Sequence, residues 1–144
     1  MIKRELYSKH TTSSDIDYSF YLIADEQVCA PRSIVQAVAM VIDYGVTCVQ
    51  LRMKHRSTEE MLAVGKPLAT LLRSKKIPLI INDNVDVALA SDAEGIHIGQ
   101  SDSPCSLVRQ QIGEQKIVGL SIENQGQAKR CFFPLKASSM QHLL

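Results

Sequence analysis

The stretch PLIINDNVDVALASDAEGIHIGQSD, residues 78–102, sets two short apolar runs on either side of one short helical pattern. Residues 78–81 and 95–98 are β-branched and apolar and read as strands, while residues 85–90 carry the spacing of a short helix. The connections between them leave no room for long loops. A strand, a helix and a strand in that order place two strands parallel in one sheet, with the helix covering a face. The fold class is therefore α/β, and the remaining chain repeats the same unit in both directions.

Toward the N-terminus, residues 46–51 form a second apolar run and residues 20–24 a first. Between these two, Ile34, Val35, Val38, Val41 and Ile42 recur at helical spacing, with Pro31 suited to the first turn and Gly45 to the stop. Ser57 and Glu60 read as a capping box ahead of Met61, Leu62, Leu68, Leu71 and Leu72. Pro67 falls inside that helix, and its missing N–H predicts a kink near residues 63–66 or a break there. Toward the C-terminus, Asp102 or Ser103 before Pro104 predicts a helix start, Leu107, Val108 and Ile112 its buried stripe and Gly113 its end. Residues 116–122 are a fifth strand and residues 125–130 a last helical stretch. The expected organisation is a polar arm over residues 1–17, a run of β/α units over 18–130 and a divergent tail over 131–144.

The 144 residues are 45% hydrophobic and 22% charged, the composition of a globular domain. Lys and Arg exceed Asp and Glu by a net charge of only +1, too little for a field that holds a nucleic-acid backbone or an anionic membrane. No nucleic-acid partner and no membrane are expected. The longest purely apolar run, residues 37–42, is far short of a span, and the N-terminus lacks the apolar region of a secretion signal. The four cysteines, at 29, 48, 105 and 131, include no C-x-x-C pair and read as reduced thiols of a cytoplasmic protein. Zinc spacings, dinucleotide and triphosphate-loop fingerprints and the G-x-S-x-G elbow are all missing from the sequence.

Parallel α/β folds bind ligands at the carboxyl ends of their strands. Each expected strand here is followed by polar residues: Asp25 after the first, Gln50, Arg52 and Lys54 on the second, Asn82 and Asp83 after the third, Gln100 and Asp102 after the fourth, and Ser121 on the fifth. Gln50, Arg52 and Lys54 alternate, so they share one side if the strand continues. A guanidinium, an ammonium and two carboxylates together suit a magnesium pyrophosphate: carboxylates for the hard cation, Arg52 forking onto phosphate oxygens, Lys54 as a point charge. The competing reading makes Arg52 and Lys54 solvated loop charges, with Asp83 and Asp102 merely capping the helices that begin near Asn84 and Pro104. His97, between Ile96 and Ile98, reads as an inward filler rather than a ligand.

Five blocks, YLIAD (21–25), VQLRMK (49–54), PLIINDNVDVALA (78–90), GIHIGQSD (95–102) and VGLSI (118–122), closely resemble the thiamine-phosphate synthase family in order and content. The resemblance covers roughly residues 20–130. It implies a TIM (β/α)8 barrel, here an incomplete one with about five parallel strands, since a whole barrel takes about 250 residues. It also implies a magnesium-dependent transferase that joins hydroxymethylpyrimidine diphosphate to thiazole phosphate, giving thiamine phosphate and pyrophosphate. In the family the diphosphate departs first and the thiazole nitrogen captures the pyrimidine cation, so that stabilising the departing charge is the main task. Carried over by position, Gln50, Leu51, Arg52, Met53, Lys54 and Asn82 hold the pyrimidine diphosphate, Asp83 and Asp102 bind magnesium, and Ser121 contacts the pyrimidine substrate.

The resemblance stops after Cys131. The family's later strands carry its Thr/Ser-Lys diphosphate loop and thiazole-phosphate residues, and CFFPLKASSMQHLL (131–144) matches none of them. The expectation is a C-terminally truncated chain without synthase turnover of its own, which self-associates through open sheet edges. The alternatives are an inactive remnant or a pyrimidine-diphosphate-binding fragment. A thiazole tautomerase fits less well, because Gln100 and Asp102 follow the synthase pattern.

Overall fold

The computed structural model describes residues 16–132. Most of the polar arm expected over residues 1–17 and most of the divergent tail lie outside the described residues. Strands β1 (Tyr21–Asp25), β2 (Cys48–Arg52), β3 (Leu79–Asn82), β4 (Gly95–Ile98) and β5 (Ile117–Leu120) form one sheet in sequence order. Every neighbouring pair is parallel. Helices α1 (Glu26–Cys29), α2 (Ile34–Val41), α3 (Thr58–Ser74), α4 (Val85–Ala90), α5 (Cys105–Ile112) and α6 (Gln125–Phe132) follow the strands in turn.

Side chains along a strand alternate between faces, and the register carries that alternation across the whole sheet. Val49, Leu51, Leu79, Ile81, Ile96, Ile98, Val118 and Leu120 face the helices and are buried against Ile34, Val38, Met61, Leu68, Leu72, Val87 and Val108. This layer is the main core. The opposite face carries Tyr21, Ile23 and Asp25 on β1, Cys48, Gln50 and Arg52 on β2, Ile80 and Asn82 on β3, Gly95 and His97 on β4, and Ile117 and Gly119 on β5. Near the start of the strands it is apolar, with Cys48, Ile80 and Ile117 packed against Tyr18 and Tyr21. Toward their ends it becomes polar. Gly95 is dictated by packing: a Cβ there would lie 2.6 Å from the Ile117 Cβ and 2.7 Å from its carbonyl oxygen.

The local signals hold in most places. Ser57 and Glu60 form the reciprocal capping box of α3, and Gly45 and Gly113 take positive φ where their helices stop. Pro67 does not break α3, which runs unbroken from Thr58 to Ser74. Ala63, whose carbonyl loses its partner, and Pro67 are both exposed, so that oxygen is open to solvent. The buried stripe of Met61, Gly65, Leu68, Ala69 and Leu72 holds the opposite face down.

Three expectations need correction. Pro31 does not occupy the first turn of a helix: Ser33 caps α2 through its own capping box with Gln36, and the short α1 precedes it. Neither Asp102 nor Ser103 caps α5, because Pro104 holds that position in an extended conformation without a side-chain cap. The strand expected over 116–122 spans only Ile117–Leu120, which leaves Ser121 just past its end.

Candidate active site

The polar strand ends converge at one end of the sheet. Asp25 ends β1, caps α1 by accepting from the Gln27 N–H at 2.9 Å, and pairs with Arg52 at the end of β2. Burial pushes the Asp25 carboxyl up, but Arg52 and the Gln27 amide together hold it below the usual carboxylate range. Gln50 is buried and donates to the Asn82 Oδ1 at 2.8 Å. Asn82 in turn donates to an Asp83 carboxylate oxygen at 2.5 Å.

Asp83 sits in the left-handed region at φ 64°, a conformation that Asp and Asn tolerate better than bulkier residues. Its N–H donates to the His97 carbonyl at 2.8 Å, so the irregular backbone is tied to β4. The helix that follows takes its cap from Asn84, whose side chain accepts from the Val87 N–H at 3.0 Å. Asp102 turns back to accept the Gly99 N–H at 2.6 Å. The capping account of the two aspartates therefore fails on geometry, because neither carboxylate caps a helix.

The two carboxyl groups meet instead. Asp83 and Asp102 interact, and the Asp83 carboxyl is pushed up to about 6, by burial first and then by hydrogen bonding with Asp102 and the charge of Asp102. Lys54 and Asn82 act in the opposite sense. Two acids this close cannot both ionise freely, and either a shared proton or a cation relieves them. Among the described residues no group of three or more His, Cys, Asp or Glu gathers around a point, so a cation here takes at most two carboxylates from the described residues. Magnesium accepts that arrangement, since it usually keeps water and adds substrate phosphate oxygens to one or two carboxylates. The donor set fits the ion.

Asn82, Asp83 and Lys54 line a cleft of about 540 Å³, together with Met53, His55, Arg56, Asn84, Asp86, Ser103 and Gln111. The loop that carries Lys54 is fastened by Arg56, which bonds Glu26 at 2.9 Å and Glu60 at 3.1 Å. Within the 50–54 segment the strand's alternation divides the residues. Gln50 and Arg52 lie on the open face of the sheet, whereas Leu51 is wholly buried under the helices and Met53 is buried at the cleft's edge. At the far side, Ser121 lies 2.8 Å from His97 Nε2 through its Oγ, and its carbonyl accepts from Gln100 Nε2 at 2.7 Å. Burial pushes the His97 imidazole below its ordinary value, with Asp102 opposing. No partner for His97 was legible in the local spacing. The signal was present in its even spacing from Gly95, which puts it on the open face beside Asn82.

A family model described as thiamine monophosphate synthase matches residues 20–132. The chain belongs to that family. A thiamine-phosphate synthase of Vibrio parahaemolyticus is 46% identical over 110 residues, covering 76% of this chain and 53% of the relative. One from Clostridium botulinum is 46% identical over 113 residues, covering 78% and 53%. Among solved structures, a thiamine phosphate pyrophosphorylase from Pyrococcus furiosus superposes with a TM-score of 0.69 at 32% identity, over 78% of this chain and 54% of that one. The chain thus spans about half the length of the curated relatives it matches. Its five-stranded parallel sheet is the β/α fold of that neighbour. No helix among the described residues is long and apolar enough to cross a membrane.

Proposed function

We propose that this chain binds hydroxymethylpyrimidine diphosphate with magnesium at the carboxyl end of its sheet, the first half of a transfer that joins the pyrimidine to thiazole phosphate. The products are thiamine phosphate and pyrophosphate. The observation that carries the proposal is the contact between Asp83 and Asp102, two carboxylates excused from helix capping and placed beside Lys54 and Asn82.

In this reading Asp83 and Asp102 hold the metal, which when bound neutralises the leaving diphosphate. Lys54 supplies a positive charge to the same oxygens, and Arg52, already oriented by Asp25, adds a fork of donors once a phosphate competes for it. Gln50 and Asn82 fix one another's amides and so present set donors to the substrate. Leu51 and Met53 take part through backbone and packing, their side chains being buried. Ser121 meets the pyrimidine portion. Cys29 and Cys48 form no disulfide, which suits a reducing compartment, and we place the reaction in the cytoplasm. Thiazole phosphate is the second substrate, for which the described residues offer no comparable cluster of charge.

Isothermal titration with hydroxymethylpyrimidine diphosphate tests the proposal directly. Binding is expected with magnesium and lost with chelator, and Asp102→Ala is expected to abolish the metal dependence. Equal binding with and without magnesium, or an Asp102→Ala chain that binds as the parent does, refutes it.

A further inference from the structure

We propose that Gly119 and His97 form a seat that orients the Ser121 hydroxyl, so that pyrimidine binding depends on a glycine that itself touches no ligand. The inference rests on the reading above, in which Ser121 meets the substrate.

His97 on β4 stands opposite Gly119 on β5. Its ring leans across β5 into the space where a side chain at 119 would sit: a Cβ there would lie 2.7 Å from Nδ1 and 3.5 Å from both Cγ and Cε1. No residue but glycine leaves that space open. From this position Nε2 reaches the Ser121 Oγ at 2.8 Å.

The backbone of Ser121 is already held on both sides. Its N–H donates to the Ile98 carbonyl at 2.9 Å, and its own carbonyl accepts from Gln100. One side-chain torsion is left, and an exposed serine ordinarily visits three staggered wells about it. The imidazole selects one. Because one hydrogen-bonding direction of the hydroxyl is then engaged by His97, the directions left for a ligand are set by that contact. On its other side His97 pairs in register with Asn82, so the seat lies between the diphosphate residues and Ser121. His97 is thus a positioning residue, and Gly119 sets the position of His97.

The test compares hydroxymethylpyrimidine diphosphate with bare pyrophosphate, both with magnesium, by titration calorimetry on the whole chain. Gly119→Ala displaces the ring and is expected to weaken the pyrimidine diphosphate about fivefold, the worth of one hydrogen bond, while pyrophosphate binds unchanged. Added to Ser121→Ala, it is expected to cause no further loss, since the hydroxyl it positions is gone. His97→Leu should reproduce the loss, and His97→Gln, whose amide nitrogen reaches near the place of Nε2, should recover most of it. The pair of His97 variants decides the matter if Gly119→Ala does not fold.

Unchanged pyrimidine diphosphate affinity in both Gly119→Ala and His97→Leu, or fully additive losses with Ser121→Ala, overturns the proposal. A parent chain that binds neither probe overturns the functional reading instead. In that event the 15N spectrum of the ligand-free imidazole decides the seat: one tautomer in the parent and a mixture in Ser121→Ala support it, and a mixture already in the parent refutes it.

Discussion

Replacing Asp83 by Asn should make the ligand-free protein more stable at neutral pH and at the same time deprive it of its response to magnesium. Burial and Asp102 raise the Asp83 carboxyl from 3.8 to about 6. The folded state therefore binds this proton more tightly than the unfolded chain does. Stability is fullest below 3.8, falls as pH rises toward about 6, and carries the whole penalty above that value. A rise of this size corresponds to about 3 kcal/mol before screening. Asp83 is solvent-exposed as a residue, and screening reduces the figure to about 1 kcal/mol.

Asparagine keeps the shape and tolerates the left-handed backbone, so the exchange removes charge and little else. Urea denaturation across pH is the assay, run with and without magnesium pyrophosphate. The variant should gain about 1 kcal/mol in the ligand-free state above pH 6 and lose the slope between the two pH limits. The parent should gain about 2.7 kcal/mol from ligand at a hundredfold excess over Kd, and the variant close to none. If Asp83→Asn is less stable than the parent at every pH without ligand, the carboxylate is a structural support and the argument from like charges is refuted.

Gly95→Ala should destabilise by about 2 kcal/mol or more, and Ile117→Ala should not rescue it, because the Ile117 carbonyl oxygen would still lie 2.7 Å from the new Cβ; paired urea melts measure both. The Cys48 thiol, buried and pushed up to about 12, should resist iodoacetamide in the native state and label only as fast as the protein unfolds, which pulsed labelling with mass spectrometry reads. Among the described residues β1 and β5 pair on one side only, and sedimentation at rising concentration should show self-association through these edges; a monomer throughout removes that expectation.

The units β3, α4 and β4 could be read from the sequence because each is a short, uniform run bounded by Asn, Asp or Gly, where turn chemistry and periodicity agree. At α5 they disagreed. Asp102 and Ser103 have the composition of a cap, but Pro104 remains extended and the Asp102 carboxylate finds a better partner in the Gly99 amide. Helix α1 escaped notice because it is a single turn nucleated by Asp25, with no apolar period to announce it. Site chemistry was legible as a list of polar strand ends. Their proximities were not: the meeting of Asp83 with Asp102, or of His97 with Ser121, depends on strand register and on loops that bend back, and neither is written in local spacing.

The alternation along β2 has a consequence for how such a sequence can drift. Leu51 answers only to the helices, while Gln50 and Arg52, one peptide away on either side, answer to the open face. Under the proposed function, selection for abundance and selection for ligand choice act on interleaved letters of the same short word. A lineage can exchange one set while the other stays still, so specificity can be revised without reopening the question of whether the chain folds.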